Sequence, residues 1–516
     1  MNARLLALWA AASLLACSCS SIPPRAPASS SPASDFEAAI ARMEHSDPAS
    51  PALLNTELAY GDYLLAGAPG PCASRIVLAQ EQLGSIEVSP KARVMFPDGW
   101  APAADLEYRL HLARAACGSK GDRAGDLLAA AEAARRAVEL YRKELDYHSM
   151  VIMQFNVAIT LRQLGEKAEA LAALEAALAM DREYGFRDDA EDNCKLLLTW
   201  QGEPADAARV AEVMRDFPKR WAILKFGWHP TDAKVAFEHR RVYLEDNRIV
   251  RGRTVAAFDR RISADRGGGW SVSHTHRLSA YKPGVWPTDQ SSRKEKLLLA
   301  PAPIPAVDFK VSAAGELEAV TGATAFAARL AAQTDKLVRA AAPPGVHASA
   351  IGDAEDRATL AFSPGMLEAE ATQDYQLETA MWIGARLEQG VWYQITAPLS
   401  LPGMPQFVIQ QRIEFAFTRM TPCTSGAAMQ KCVEIVLHAI PDKKALRDVL
   451  ADLRNGGIDF VDYDASTEAR IVVDPATLLP RVHEEQVYWY ASIGKGEGDA
   501  LLESEHLVTT TTYGAQ

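Results

Sequence analysis

The sequence predicts two folded halves behind an exported start: an all-α helical-repeat domain, then an α+β domain with a curved antiparallel sheet and packed helices. Three observations predict it. Over residues 35–218 apolar residues recur at spacings of three and four, the period of a helix face. Around Trp221 the spacing changes to two, the period of a strand lying on a core. Ahead of both, residues 5–16 form a largely apolar run of twelve. That run is too short to span a bilayer but has the length of a signal-peptide core.

Arg4 gives the run a basic start, and Leu14, Leu15, Ala16 and Cys17 close it. This order resembles the lipobox of bacterial lipoproteins. The resemblance implies that residues 1–16 are a signal peptide and that the chain is cut before Cys17. It also implies that the Cys17 thiol is diacylated and the new amine acylated, so that lipid is the membrane partner. Ser18 stands where lipoproteins kept at the inner membrane often carry Asp. The resemblance therefore implies the outer membrane of a Gram-negative cell, facing the periplasm or the cell surface. The plainer alternative is an ordinary cleaved signal. Residues 17–34 are almost wholly Ser, Pro and Ala, with little to bury, and predict an unfolded tether. Its average reach is about 20–25 Å.

The helical half, residues 35–218, is rich in Ala, Leu, Glu and Arg. Its clearest unit covers residues 156–181. Val157, Leu161 and Leu164 line one helix, Gly165 breaks it, and Ala170, Leu171, Leu174, Ala177 and Leu178 line a second. A second unit follows 37 residues on, with Asn193, Leu197, Gly202, Ala207 and Ala208. This helix–glycine–helix pattern resembles the tetratricopeptide repeat, whose period is about 34 residues. It departs from that family in two places: Arg162 stands near the usual aromatic, and no proline follows Asp181. Weaker units centre on Gly121 and on residues 67–70. The resemblance implies stacked helix pairs with a groove that binds a protein or peptide. A helical support with no partner is the alternative.

In the second half, residues 219–516, Val235, Phe237, His239, Arg241 and Tyr243 alternate with Glu238 and Arg240. Residues 254–262, 407–417, 433–437, 468–473, 482–491 and 501–513 follow the same rule, and Trp270 starts another strand after the turn 266–269. Residues 323–341, 364–387 and 443–455 read as helices, so the half is α+β. One apolar and one polar strand face predict a sheet wetted on one side. A curved sheet over helices can enclose an apolar cavity. Trp270, His274, His276, Tyr488, Trp489 and Tyr490 are the candidate ligand-facing residues, with plain core as the alternative for the aromatics. The hairpin from Asp474 and Pro475 to Tyr490 resembles, over under twenty residues, those of LolA-like lipoprotein and lipid carriers. That resemblance implies an apolar ligand.

The chemistry is sparse. Two histidines two apart on a strand, His274 and His276, face one way, but no third ligand accompanies them, so no metal is predicted. Asp459, Asp462, Asp464, Glu484 and Glu485 are carboxylate-rich and read as a solvated edge rather than a paired acid and base. Residues 291–294 match S-x-x-K without its companion motifs. Residues 494–498 are glycine-rich without the setting of a phosphate loop. No catalytic residue and no cofactor is predicted. Net charge is −12 with no basic block, which speaks against nucleic acid. The seven cysteines include no C-x-x-C, and an exported chain meets oxidising conditions. Cys423 with Cys432, flanking a short loop, and Cys72 with Cys117 are the candidate disulfides. The expected function is an envelope lipoprotein acting as a non-enzymatic protein-interaction scaffold. The alternatives are a carrier of a lipid or other apolar ligand, and a hydrolase of unknown substrate.

Overall fold

The computed structural model describes residues 32–513 apart from 47–50, 119–121, 218–219, 246–247, 281–306, 329–362, 403, 424–430, 456–459 and 494–499. Cys17, the tether to residue 31, Asp459 and the motifs at 291–294 and 494–498 lie outside these residues.

Among the described residues ten helices come first: α1 (Pro32–Ser46), α2 (Pro51–Leu65), α3 (Cys72–Val88), α4 (Pro90–Met95), α5 (Ala101–Cys117), α6 (Arg123–Lys143), α7 (Tyr147–Leu164), α8 (Lys167–Tyr184), α9 (Arg187–Gln201) and α10 (Ala207–Val213). From α5 to α10 each helix packs on the next. The predicted turn glycines end their helices. Gly165 and Gly202 sit at φ 92° and 79°, the left-handed conformation that glycine adopts without steric cost and that closes a helix C-terminus. The out-of-pattern Arg162 lies over the ring of Trp200, 5.1 Å from its centroid, and so ties α7 to α9. The Cys72–Cys117 disulfide joins α3 to the end of α5.

The rest is built on one antiparallel sheet of eleven strands in the order β6-β5-β4-β3-β2-β13-β12-β11-β10-β9-β8. Its centre is formed by β2 (Thr231–Glu245), β3 (Arg248–Ala264), β13 (Ala500–Tyr513), β12 (Pro480–Ile493), β11 (Phe460–Val473), β10 (Lys431–Pro441) and β9 (Met404–Pro422). The flanks are β4 (Trp270–Ala280), β5 (Asp308–Val311), β6 (Leu317–Thr321) and β8 (Trp392–Leu401). A separate pair, β1 (Trp221–Ile223) with β7 (Arg386–Glu388), sits beside it. Among the described residues, α11 (Pro364–Glu378) and α12 (Lys443–Asn455) interrupt the strands, and residues 323–328 begin the helix expected over 323–341, whose remainder lies outside the described residues. The Cys423–Cys432 disulfide links the end of β9 to β10. Two disulfides fit an oxidising compartment. Among the described residues no helix is long and apolar enough to cross a membrane.

The expectation of one wetted sheet face is corrected, because both faces are covered. On one face Val242, Tyr490 and Leu502 share a core with α2–α5. On that same face Ala416 and Val436 join the core of α5–α8. On the other face Phe415, Phe417, Ile435 and Ile471 pack on Leu377 of α11 and on Trp382. Leu450 of α12 packs on Ile409, Tyr463 and Ala491 there. Burial on both faces makes β10 almost continuously buried from Cys432 to Ala439, which hides the period-2 signature of a one-sided strand.

Candidate ligand cleft at the helix–sheet seam

Cross-strand register builds a row of charges on the sheet face that meets the helices. Between Glu434 and Ile435 the β9–β10 register shifts, a bulge that admits an extra residue and re-aims the chain. Thr418 occupies the bulge and donates its hydroxyl to Glu434 Oε1 at 3.0 Å. Arg419 then stands opposite Glu434. Its Nε donates to Oε1 at 3.0 Å and its Nη2 to Oε2 at 3.2 Å. Arg470 on β11 donates Nε to Glu434 Oε2 at 2.8 Å and Nη1 to Glu484 Oε2 at 3.1 Å. Glu484 Oε1 is 3.0 Å from His506 Nε2. Arg419, Glu434, Arg470 and Glu484 thus alternate in charge across β9 to β12, with His506 of β13 in contact with the last. Cross-strand opposite charges support one another, and the fully buried Glu434 has a guanidinium on either side. Burial works against ionisation of Glu484, but His506 and Arg470 together hold its carboxyl below the usual range.

The helical layer completes the site. Arg419 also reaches Glu183 at the end of α8 and lies over the ring of Tyr184, 5.3 Å from its centroid. Tyr184 stacks on Tyr147 of α7 with centroids 4.4 Å apart. Burial raises both phenols, Tyr184 to about 12, so both hydroxyls stay protonated donors. Between these groups lies a cavity of about 480 Å³, open to solvent. Arg142, Lys143, Leu145, Met150 and Met180 line it along with Arg419, Arg470 and Glu484 of the row. That volume is in the range of small-molecule sites, about 300–1,000 Å³. Leu145, at the turn between α6 and α7, is buried at φ 58°, a strained conformation for a non-glycine residue.

The opposite face carries a second polar cluster beneath α11. Glu370, Asp374 and Glu378 recur every four residues and share one face of the helix. Glu378 Oε1 is 3.1 Å from His483 Nδ1. Burial disfavours the imidazolium, but Glu378, Glu485 and Asp374 outweigh it and raise His483 to about 9. Burial raises Asp374 to about 7. Glu505 lies 2.7 Å from His239 Nε2; despite burial, that bond and the Arg241 charge hold it down at about 2. The adjoining cavity, lined by Asp374, Glu378, Arg260 and His274 among aromatics, is about 30 Å³, room for roughly two waters.

The six candidate ligand-facing residues do not share a wall. Trp270 and His274 lie on the α11 face, and His274 lines the small cavity. The side chain of His276 is outside the described ones. Trp489 packs near α12, while Tyr488 and Tyr490 alternate to the other face and pack on the helices. The carboxylate group also divides: Glu484 and Glu485 are consecutive on β12 and face opposite ways, and Asp462 is exposed. The sequence reading missed Arg419, Glu434 and Arg470. Charged residues at successive same-face positions of neighbouring strands were the available signal, but register is needed to align them. Among the described residues no group of three or more His, Cys, Asp or Glu is placed to hold a metal ion.

No protein-family model matches the chain, and no curated protein matches it. Among solved structures, a lipovitellin chain described as "lipid-protein interactions in lipovitellin" is similar over 55% of this chain and 25% of that chain, at 8% identity and a TM-score of 0.26. The chain thus spans about a quarter of the lipovitellin chain it matches.

Proposed function

We propose that this chain is an envelope lipoprotein, anchored by lipid on Cys17 at the outer membrane and facing the periplasm, whose folded body binds a ligand without catalysing its conversion. The observation that supports binding most is the cavity of about 480 Å³ at the helix–sheet seam, lined by aromatic, thioether and cationic side chains. The helix pairs, read as tetratricopeptide-like units, act here as one wall of that cleft. Their apolar side is already covered by the sheet, which shifts weight from a peptide in a repeat groove to a small ligand at the seam. The tether then serves reach: it lets the binding body sample ligand near the membrane.

Native mass spectrometry of the protein released from its membrane tests the reading. An added mass is expected on the natural chain and absent from Met180→Trp, which fills the cleft. The same mass on both would move binding elsewhere. A protein partner is the second reading, supported by Val77 and Val88 of α3, which are 54% and 67% exposed and lie eleven residues apart on one helix face. Loss of a co-purifying protein in a Val77→Glu, Val88→Glu variant would favour it.

A further inference from the structure

We propose that the seam cleft selects an anionic amphiphile, a single carboxylate or phosphate head on an apolar body. The inference rests on the binding reading above and names its ligand class.

The head is assigned by the cations and by what already satisfies them. Arg142 and Lys143 end α6, and among the described residues their side chains have only exposed ion-pair partners, Glu139 and, at 3.4 Å, Asp98. Exposed pairs of this kind are weak and readily exchanged. Arg470 commits Nε to Glu434 and Nη1 to Glu484, and among the described residues no partner takes its Nη2. The Tyr147 and Tyr184 hydroxyls add neutral donors. Fixed guanidinium and hydroxyl donors suit a carboxylate or phosphate, which take charge-assisted hydrogen bonds. Glu183 and Glu484 also line the cleft and limit how much negative charge it accepts, which fits one head and opposes a polyanion. The body is assigned by the rest of the wall. Leu145, Met150, Met180 and the stacked tyrosine rings offer apolar surface to whatever the head holds. Thioethers adapt their shape to a flexible chain or a ring.

Calorimetric titration of residues 20–516, which carry every described element, tests the assignment. The probes are lauroyl lysophosphatidate, 3-phenylpropionate, their neutral counterparts monolauroylglycerol and 3-phenylpropanol, and inorganic phosphate. One or both anions are expected to bind at one per chain, at least tenfold tighter than the matching neutral compound and than phosphate. A tighter lysophosphatidate identifies a membrane-lipid source, and a tighter phenylpropionate a soluble acid; either result supports the class. Arg470→Gln should weaken the anion at least tenfold. Because that variant disturbs the buried row, the exposed double change Arg142→Gln, Lys143→Gln provides a second measure, with a loss of fivefold or more expected. Equal binding of neutral compounds, or of phosphate alone, overturns the proposal. If native mass spectrometry instead shows a neutral or cationic mass that Met180→Trp removes, the amphiphile falls while the binding reading stands. If no cleft-dependent mass is found, both fall.

Discussion

Glu434 is fully buried and holds two arginines at once, so its charge is held in place by neighbours rather than by water. Glu434→Gln would leave Arg419 and Arg470 short of a counter-charge inside the seam. Breaking a buried pair from one side costs about 3–5 kcal/mol, and urea unfolding should show a loss of that order. Replacing all three by apolar residues of similar size should cost less than Glu434→Gln alone, since no uncompensated charge then remains. A triple variant as unstable as the single one would contradict this account. His483 makes a pH prediction. Its folded value of about 9 lies above its ordinary 6.5, so its pairing with Glu378 contributes fully below pH 6.5 and is lost as pH rises to 9. Asp374 moves from 3.8 to about 7, so its ionisation lowers stability as pH rises over that window. Both slopes fall in the same direction. Denaturation midpoints should drop between pH 6.5 and 9, and His483→Gln should flatten that drop, whose full span is on the order of 3 kcal/mol. At this scale the sequence was least legible: Arg419 is re-aimed by a one-residue bulge that no alternation pattern announces.

The elements were more legible where each follows one period. The glycines that end α7 and α9, the whole of α12, and the strands β2, β9 and β13 follow directly from spacing and turn residues. Short or doubly buried elements were not. Strands β1, β5, β6, β7 and β8 went unpredicted, and α11 ends at Glu378 before a short turn and β7, where the sequence reads one helix to residue 387. The three to five residues of β1, β5, β6 and β7 carry too few alternations to stand out, and ten-residue β8 is broken by Pro398, which speaks against a strand in the sequence. The turn at Gly185 tests how elements are joined. Gly185 ends α8 at φ 86°, and a Cβ there would lie 3.0 Å from the backbone of Gln389 beside β7. The Gln389 amide in turn donates to the Thr418 carbonyl at 2.8 Å and to that of Glu183. Gly185→Val must therefore both strain its backbone and push β7 from α8. Hydrogen exchange is expected to quicken at the α8 end, at residues 386–389 and around the β9 bulge, with thermal stability reduced. Unchanged exchange at the bulge would show that the seam does not depend on this approach.

For the whole molecule, the sequence separates two halves near residue 218, and the change of period there is real: α10 ends at Val213 and β1 begins at Trp221. What spacing along the chain cannot express is that the two halves share their cores. Val242, Tyr490 and Leu502 belong to the helical core, and Ser504 donates to the Val94 carbonyl across the seam. Gln486 likewise donates to the Lys143 carbonyl at 2.6 Å. Separating the halves would expose apolar surface on both, at about 25 cal/mol for each Å², and leave the charged row half-paired. The chain is therefore expected to unfold as one unit, with helix loss by far-ultraviolet circular dichroism and loss of tryptophan burial coinciding in urea. Residues 35–218 made alone should bind hydrophobic dye and lack a sharp transition, and adding residues 219–516 should abolish the dye binding and restore a sharp transition. Two separate transitions in the whole chain, with a cooperative helical half on its own, would mean that the seam is an interface between independent domains. The cleft would then open by their separation and close on its ligand, and added ligand would raise the stability of the docked state instead of completing an already fixed site.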